Sequence, residues 1–169
     1  FVLIDDGSVD RTPHILREVA ESDERFKILS LSRNFGHQQA ITAGLDFCTG
    51  EAVAIIDGDL QDPPAMVPEM LELWLEGADV VPAVRRNRKE SLAKRLSYKL
   101  FYRLLRLSSG IEIPLDAGDC CVLDRRVVSV LQKIPDRSRF VRGLRAWVGF
   151  DQRPYVYDRA PRAKGEPKY

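Results

Sequence analysis

Little in this chain is in excess, and its shortages narrow what it can do. Three cysteines in 169 residues, Cys48, Cys120 and Cys121, are an odd count with two adjacent, so they build no disulfide framework and suit a reducing compartment. No apolar run reaches the ~18–20 residues of a membrane span, and no secretory leader is visible. Net charge is only +1, without the global basic field of a nucleic-acid binder, so no nucleic-acid partner is expected. No glycine-rich phosphate loop opens the chain, which counts against a nucleotidyltransferase. His14 and His37 stand far apart, and both read as structural. No methionine precedes Phe1, and "FVLI" reads as the inside of a strand. The expectation is a single domain over residues 1–169, cut from a longer protein at both ends.

What is present is an ordinary globular balance, 44% hydrophobic and 30% charged, arranged as an alternation. "FVLI" ends at the turn cluster Asp5-Asp6-Gly7-Ser8; Asp10 or Thr12 can cap a helix with Pro13 in its first turn. "FKILSLS", "AVAIID" and "ADVVPAV" read as further strands, with Pro82 marking a strand end or an edge. "HQQAITAGLDFCTG" and residues 64–76 read as the intervening helices. Beyond Arg85 come a long basic-apolar helix near residues 91–107, a strand near 120–123, a helix near 125–134 and a last strand "PYVYDR". Strand–helix alternation at this spacing argues for a parallel sheet with right-handed crossovers. Ligands bind such sheets beyond the carboxyl ends of the strands. Those ends carry Asp5-Asp6, Arg33-Asn34, Asp57-Gly58-Asp59 and Arg85, a mixture of acids and arginines that suits a polyanion with a metal ion.

The densest stretch is "IIDGDLQDPP", residues 55–64. Asp57 and Asp59 flank a glycine that lets a ligand approach the backbone. Hard divalent cations take oxygen ligands, and Mg²⁺ in particular pairs one or two carboxylates with substrate phosphates. An EF-hand is excluded, because its sixth and twelfth positions, Gly and Glu, fall on Asp62 and Pro68. The basic residues cluster between Arg85 and Arg106, against the single acid Glu90. The helix near 91–107 sets leucines against lysines and arginines. It is either a core helix with a solvated basic face or one lying on an anionic membrane. Asp116 and Asp119 in "DAGD" orient an acceptor or an arginine, serve as a base, or cap a turn.

"VLIDDGSVDRT", "LSRNFGHQQAITAGLDFCTGEAVAIIDGDLQDPP", "DAGDCCVLDRRVV", "RFVRGLRAWVGF" and "RAPRAKGEPKY" together resemble the family 2 glycosyltransferases of GT-A fold. The resemblance is nearest to the branch that glycosylates polyprenyl phosphates, the undecaprenyl-phosphate glucosyltransferases and dolichyl-phosphate mannose synthases. It implies an α/β, mostly parallel sheet flanked by helices, with the family's first strand and Pro-x-x-Asn-Glu segment missing. It implies that Leu3, Asp5, Asp6, Asp57, Gly58, Asp59, Arg85, Arg162 and Lys168 meet the nucleotide sugar. Asp57, Asp59 and Gln61 would hold Mg²⁺ or Mn²⁺; Arg85, Arg88 and Arg95 would take the acceptor phosphate. Asp59, Arg95, Asp116 and Asp119 are the catalytic candidates. Gly58 and Pro167 stand where the family usually has Ala and Ser or Thr.

The implied partners are a nucleotide-sugar donor of UDP-glucose or GDP-mannose type, a polyprenyl phosphate and a membrane surface, with a homo-oligomer compatible. The implied location is a membrane, with the active site on its cytoplasmic side. The implied reaction is metal-dependent, inverting transfer of one hexose. No Gln sits at the offset of a processive Q-x-x-R-W motif. Transfer to a polysaccharide or other hydroxyl acceptor, or a catalytically silent nucleotide-sugar-binding module, are the alternatives.

Overall fold

The computed structural model describes residues 1–86, 117–136 and 139–158. Strand β1 (Val2–Asp5) pairs in parallel with β2 (Lys27–Ser30), Val2 opposite Lys27, and helix α1 (Thr12–Ser22) crosses between them. The Asp10 carboxylate accepts the Thr12 amide at 2.9 Å, and Pro13 fills the first turn, where its missing N–H costs nothing. Helix α2 (His37–Phe47) then leads to β3 (Ala52–Ile55), and a 3₁₀ turn (Pro64–Met66) opens α3 (Val67–Leu75). Strand β4 (Val80–Arg85), strand β5 (Ala117–Asp124), helix α4 (Arg125–Lys133), helix α5 (Val141–Trp147) and strand β6 (Tyr155–Tyr157) complete the order.

The strands form two sheets, β1-β2 and β3-β5-β4-β6. The α/β architecture is the expected one, but β5 runs antiparallel between β3 and β4. Its composition accounts for its central place. Cys120, Cys121, Val122 and Leu123 are all buried, so this run is covered on both faces and belongs at the centre of a sheet. Burying each of Val122 and Leu123 contributes about 1.5–3 kcal/mol. β4 and β6 are parallel, so within this sheet β5 alone points the other way.

Pro82 overturns its reading as a strand end or edge, because it is buried inside β4, between β5 and β6. The sheet tolerates it because the ladder is interrupted there. The β4–β5 register shifts between Pro82 and Val84, and pairing with β6 resumes at Ala83, beyond an isolated Val80–Gln152 bridge.

Helix α2 ties the sheets together. Ile41 and Leu45 share a core with Val80, Cys121, Leu123 and α4. On its other side Gly44 packs so closely on β1 that a Cβ there would lie 2.8 Å from Ile4 Cδ1. Cys120 and Cys121 are core groups, as expected of cysteines in an apolar strand, and burial pushes both thiols up; Cys48 is half-buried. From the sequence both tryptophans are expected to be packing residues; Trp74 is, lying under β5 and donating to Asp124, but Trp147 is not, at 60% exposed. The helix expected near 91–107 lies outside the described residues. Among those described, no helix is long and apolar enough to cross a membrane.

Candidate active site

Four strand ends meet through a continuous line of contacts. At the end of β1, Asp5 is buried and accepts the Ser8 amide at 3.0 Å, folding the turn back. Gly7 has φ +71°, and a Cβ on it would lie 2.3 Å from the Arg33 carbonyl carbon, so the turn after β1 rests directly on the loop after β2. Asp6 fastens that loop, accepting the Phe35 and Gly36 amides at 2.7 and 2.9 Å. The next residue, His37, opens α2 and points at the end of β3 and at β5.

His37 overturns the expectation that it is structural and isolated. Its Nε2 lies 3.2 Å from Asp119 Oδ2 and 3.6 Å from Asp57 Oδ1. A carboxylate only accepts, so Nε2 carries the hydrogen. The Asp119 bond raises the imidazole's pKa against the effect of burial, and Asp57 adds to the rise. Asp119 also receives Gln38 Nε2 at 3.3 Å and the Arg142 fork at 2.9 and 3.4 Å. Burial opposes its ionisation, but the hydrogen bonds from His37 and Arg142 outweigh that and hold its carboxyl well below the usual carboxylate range. Arg145, one helical turn on from Arg142, is buried and donates to the Gly118 and Asp119 carbonyls at 2.7 and 3.3 Å. Of the open readings of Asp119, the geometry is that of a carboxylate that orients an arginine.

Asp57 behaves in the opposite way. Burial pushes its carboxyl up, and Asp119, Asp62 and Asp59 add to this against the relief from His37. The loop beyond it turns through Leu60 at φ 57°, a left-handed conformation that costs a non-glycine residue roughly 1 kcal/mol or more. Asp59 Oδ1 accepts the Gln61 amide at 3.0 Å across that turn. A Cβ on Gly58 would meet nothing within 4 Å, so open space lies beside it and an alanine would fit. Asp62 is buried and accepts the Tyr157 hydroxyl; Arg85 Nε lies 3.4 Å from the same hydroxyl oxygen.

The donor set fits a divalent cation. Asp57, Asp59 and Gln61 carry the kind of oxygen atoms a divalent cation takes, and a cation would relieve the carboxylate repulsion that adds to burial in raising Asp57. Among the described residues no group of three acidic, histidine or cysteine side chains closes a metal site, so substrate oxygens would complete the shell.

Of the expected site residues, Asp5, Asp6, Asp57, Gly58, Asp59, Gln61, Arg85 and Asp119 lie at the strand ends and in the loops joined by these contacts, with Leu3 half-buried in β1. Arg88, Arg95, Asp116, Arg162 and Lys168 lie outside the described residues. Sequence reasoning missed His37, Gln38, Asp62, Arg142, Arg145 and Tyr157. Most lie in or beside the motifs quoted for the resemblance, which marked their neighbourhoods without assigning roles.

The Glycosyl transferase family 2 model matches residues 1–131, and the chain belongs to that family. It is 48% identical over its whole length to "Uncharacterized glycosyltransferase YkcC" of Bacillus subtilis (strain 168), covering 53% of it. It is 40% identical, again over its whole length, to "Bactoprenol glucosyl transferase" of Shigella phage SfV, covering 55% of it. The chain thus spans about half the length of these curated relatives. In fold it is similar to the mannosyltransferase PcManGT from Pyrobaculum calidifontis, solved in complex with GDP-Man and Mn²⁺. The TM-score is 0.61 at 22% identity, covering 92% of this chain and 45% of that one.

Proposed function

We propose that this domain belongs to an inverting glycosyltransferase that moves one hexose from a nucleotide sugar to a polyprenyl phosphate at the cytoplasmic face of a membrane. Similarity to a bactoprenol glucosyl transferase supports the acceptor class and favours a UDP-glucose-type donor. The observation that carries the reading is the engagement of Asp119. With both oxygens committed to Arg142, His37 and Gln38 and its carboxyl held ionised, it is poorly placed to take a proton from an acceptor.

A phosphate monoester acceptor needs no such base. By analogy with phosphoserine its second pKa is about 6, so at neutral pH it is mostly a dianion and already nucleophilic. An acceptor phosphate oxygen attacks the anomeric carbon from the face opposite the leaving group, the bond from that carbon to the diphosphate oxygen breaks, and the nucleoside diphosphate departs. Asp57, Asp59 and Gln61 would hold Mg²⁺ or Mn²⁺ against the diphosphate, where the ion's Lewis acidity neutralises the leaving group. Arg85 offers a guanidinium fork from the end of β4, the geometry that suits a phosphate.

The test uses full-length protein in membranes with Mn²⁺, a panel of radiolabelled nucleotide sugars, and an Asp59→Ala control. Label entering an organic-extractable, acid-labile lipid, and lost with Asp59→Ala, is the expected result. Transfer only to water-soluble acceptors would overturn the lipid acceptor. Nucleotide binding without turnover would overturn catalysis.

A further inference from the structure

Strand β5 is irregular where it supplies Asp119. Cys121 faces Pro82 and Ala117 faces Val84, so Gly118, Asp119 and Cys120 lie opposite the single residue Ala83. Such a bulge breaks the ladder locally and re-aims a side chain. Buried Arg145 supplies donors to the Gly118 and Asp119 carbonyls at that point. Arg142, on the same helix, is placed differently. Its side chain is 30% exposed, its Nε and Nη2 bond to Asp119, and its other N–H groups carry no hydrogen bond among the described residues. One edge of the guanidinium is therefore fixed and the rest is open. Through Asp119 it is joined to His37, whose Nε2 also reaches Asp57, one of the acids that would hold a cation on the donor diphosphate. Gln38 ties this arrangement together from α2. Its Nε2 donates to Asp119 Oδ1, and its Oε1 accepts the Val141 amide at 3.1 Å, an N–H at the start of α5 with no partner in its own helix. A backbone N–H only donates and a carboxylate only accepts, so this amide fits in one orientation. One side chain thus holds both the carboxylate that Arg142 grips and the helix that carries Arg142.

We propose that Arg142 binds the acceptor phosphate and that Gln38 is the positioning residue that aims it. The assignment rests on the proposed transfer to a polyprenyl phosphate. Such an acceptor is a dianion that has to be held near an anionic diphosphate, and fixed guanidinium N–H groups counter that repulsion. A free arginine loses much side-chain freedom when it grips a phosphate, whereas Arg142 has already given up most of that freedom to Asp119. Arg145 cannot take this role, because it is buried and bonded to backbone carbonyls. Asp119 sets the plane of the Arg142 fork, and Gln38 sets where the start of α5 stands relative to that plane. Loss of the Gln38 amide would release the helix start and one bond to Asp119 together. The guanidinium would then keep its charge and lose its aim.

The experiment measures steady-state transfer from UDP-glucose and from GDP-mannose to undecaprenyl phosphate in detergent micelles, with full-length protein and Mn²⁺. Acceptor and donor are varied in turn, and binding of the matching nucleoside diphosphate is followed by titration calorimetry. Arg142→Ala is expected to raise the acceptor KM about tenfold, while the donor KM and the nucleotide affinity stay within about twofold. Gln38→Leu, similar in size and uncharged, is expected to raise the acceptor KM about threefold and to add little to Arg142→Ala, because it acts through that arginine. A residue that only supports the fold would shift both KM values together. Should Arg142→Ala fail to fold, Arg142→Lys takes its place in both measurements, keeping the charge without the fork, and should still raise the acceptor KM selectively. Equal changes in the two KM values, or an unmoved acceptor KM, would overturn Arg142 as the phosphate ligand while leaving the transfer reaction intact. Full additivity of the two substitutions would overturn positioning by Gln38. A parent protein that transfers from neither donor would overturn the proposed function, and the assignment with it.

Discussion

Replacing Asp119 by asparagine removes the charge on which His37, Gln38 and Arg142 converge, and its cost can be worked from the contacts. The carboxylate is 10% exposed and takes the Arg142 fork at 2.9 and 3.4 Å, His37 at 3.2 Å and Gln38 at 3.3 Å. A hydrogen bond to a charged group contributes about 1.5–3 kcal/mol, and removing one partner of a buried pair costs about 3–5 kcal/mol. Arg142 is 30% exposed and regains water, so the cost falls below that of a fully buried pair, at about 2–3 kcal/mol. In a chain of this size that lowers Tm by about 5–10 °C. Thermal unfolding followed by circular dichroism measures it, with pH as the second axis. The folded-state pKa of Asp119 is depressed, so its contribution is present above the unfolded carboxylate value near 3.9 and is lost as pH falls further. The gap between parent and Asp119→Asn should be full at pH 7 and shrink below about pH 4. A loss under about 0.5 kcal/mol at pH 7, the range of an ordinary surface change, would refute the clasp.

His37 carries the opposite sign. Its folded pKa is raised above 6.5, so its contribution is complete below that value and is lost as pH rises through the folded one. The destabilisation by His37→Ala should therefore be larger at pH 6 than at pH 9, and a pH-independent difference in unfolding midpoint would sink this. At the turn after β1, Gly7→Ala combines φ +71° with a backbone clash against Arg33, and should cost roughly 2 kcal/mol or more in urea unfolding. The same substitution at Gly58, where a Cβ meets nothing, should leave stability within about 0.5 kcal/mol. Equal effects at the two glycines would refute the account of that turn.

The parts of this site that were legible in the sequence are those that follow from the sheet. An apolar run ending in Asp57-Gly58-Asp59, or in Asp5-Asp6, places its acids at a strand's carboxyl end, and successive parallel strands place those ends on one rim. Contacts made by helices were not legible. His37 reaches Asp119 across 82 positions, and only the packing of α2 against both sheets brings them together. Arg142 and Arg145 sit on a seven-residue helix too short to show a period, so their motif was visible but their direction was not. Pro82 misled for a different reason. A proline argues against a central strand only while the ladder is unbroken, and an irregularity two residues long is invisible to propensity.

Asp119 also bears on which acceptor the site can use. A hydroxyl is a poor nucleophile until its proton is removed, so such a site needs a carboxylate or imidazole with a spare lone pair and a pKa near the working pH. Here Asp119 is held ionised and turned toward Arg142, while His37, the nearest titratable donor, spends its Nε2 hydrogen on Asp119 and is biased toward its charged form. Asp57 is pushed up, but it belongs to the set that a metal ion would claim. None of these three is well suited to serve as a base, whereas the arginines at the same rim can steady a dianion. An acceptor that arrives already deprotonated removes the need for a base. If so, labelling of the lipid should fall on the acid side near pH 6, as the acceptor phosphate takes up its proton. A decline set instead by the enzyme, unmoved when an acceptor of different phosphate pKa is supplied, would return the base to the protein and the acceptor to a hydroxyl.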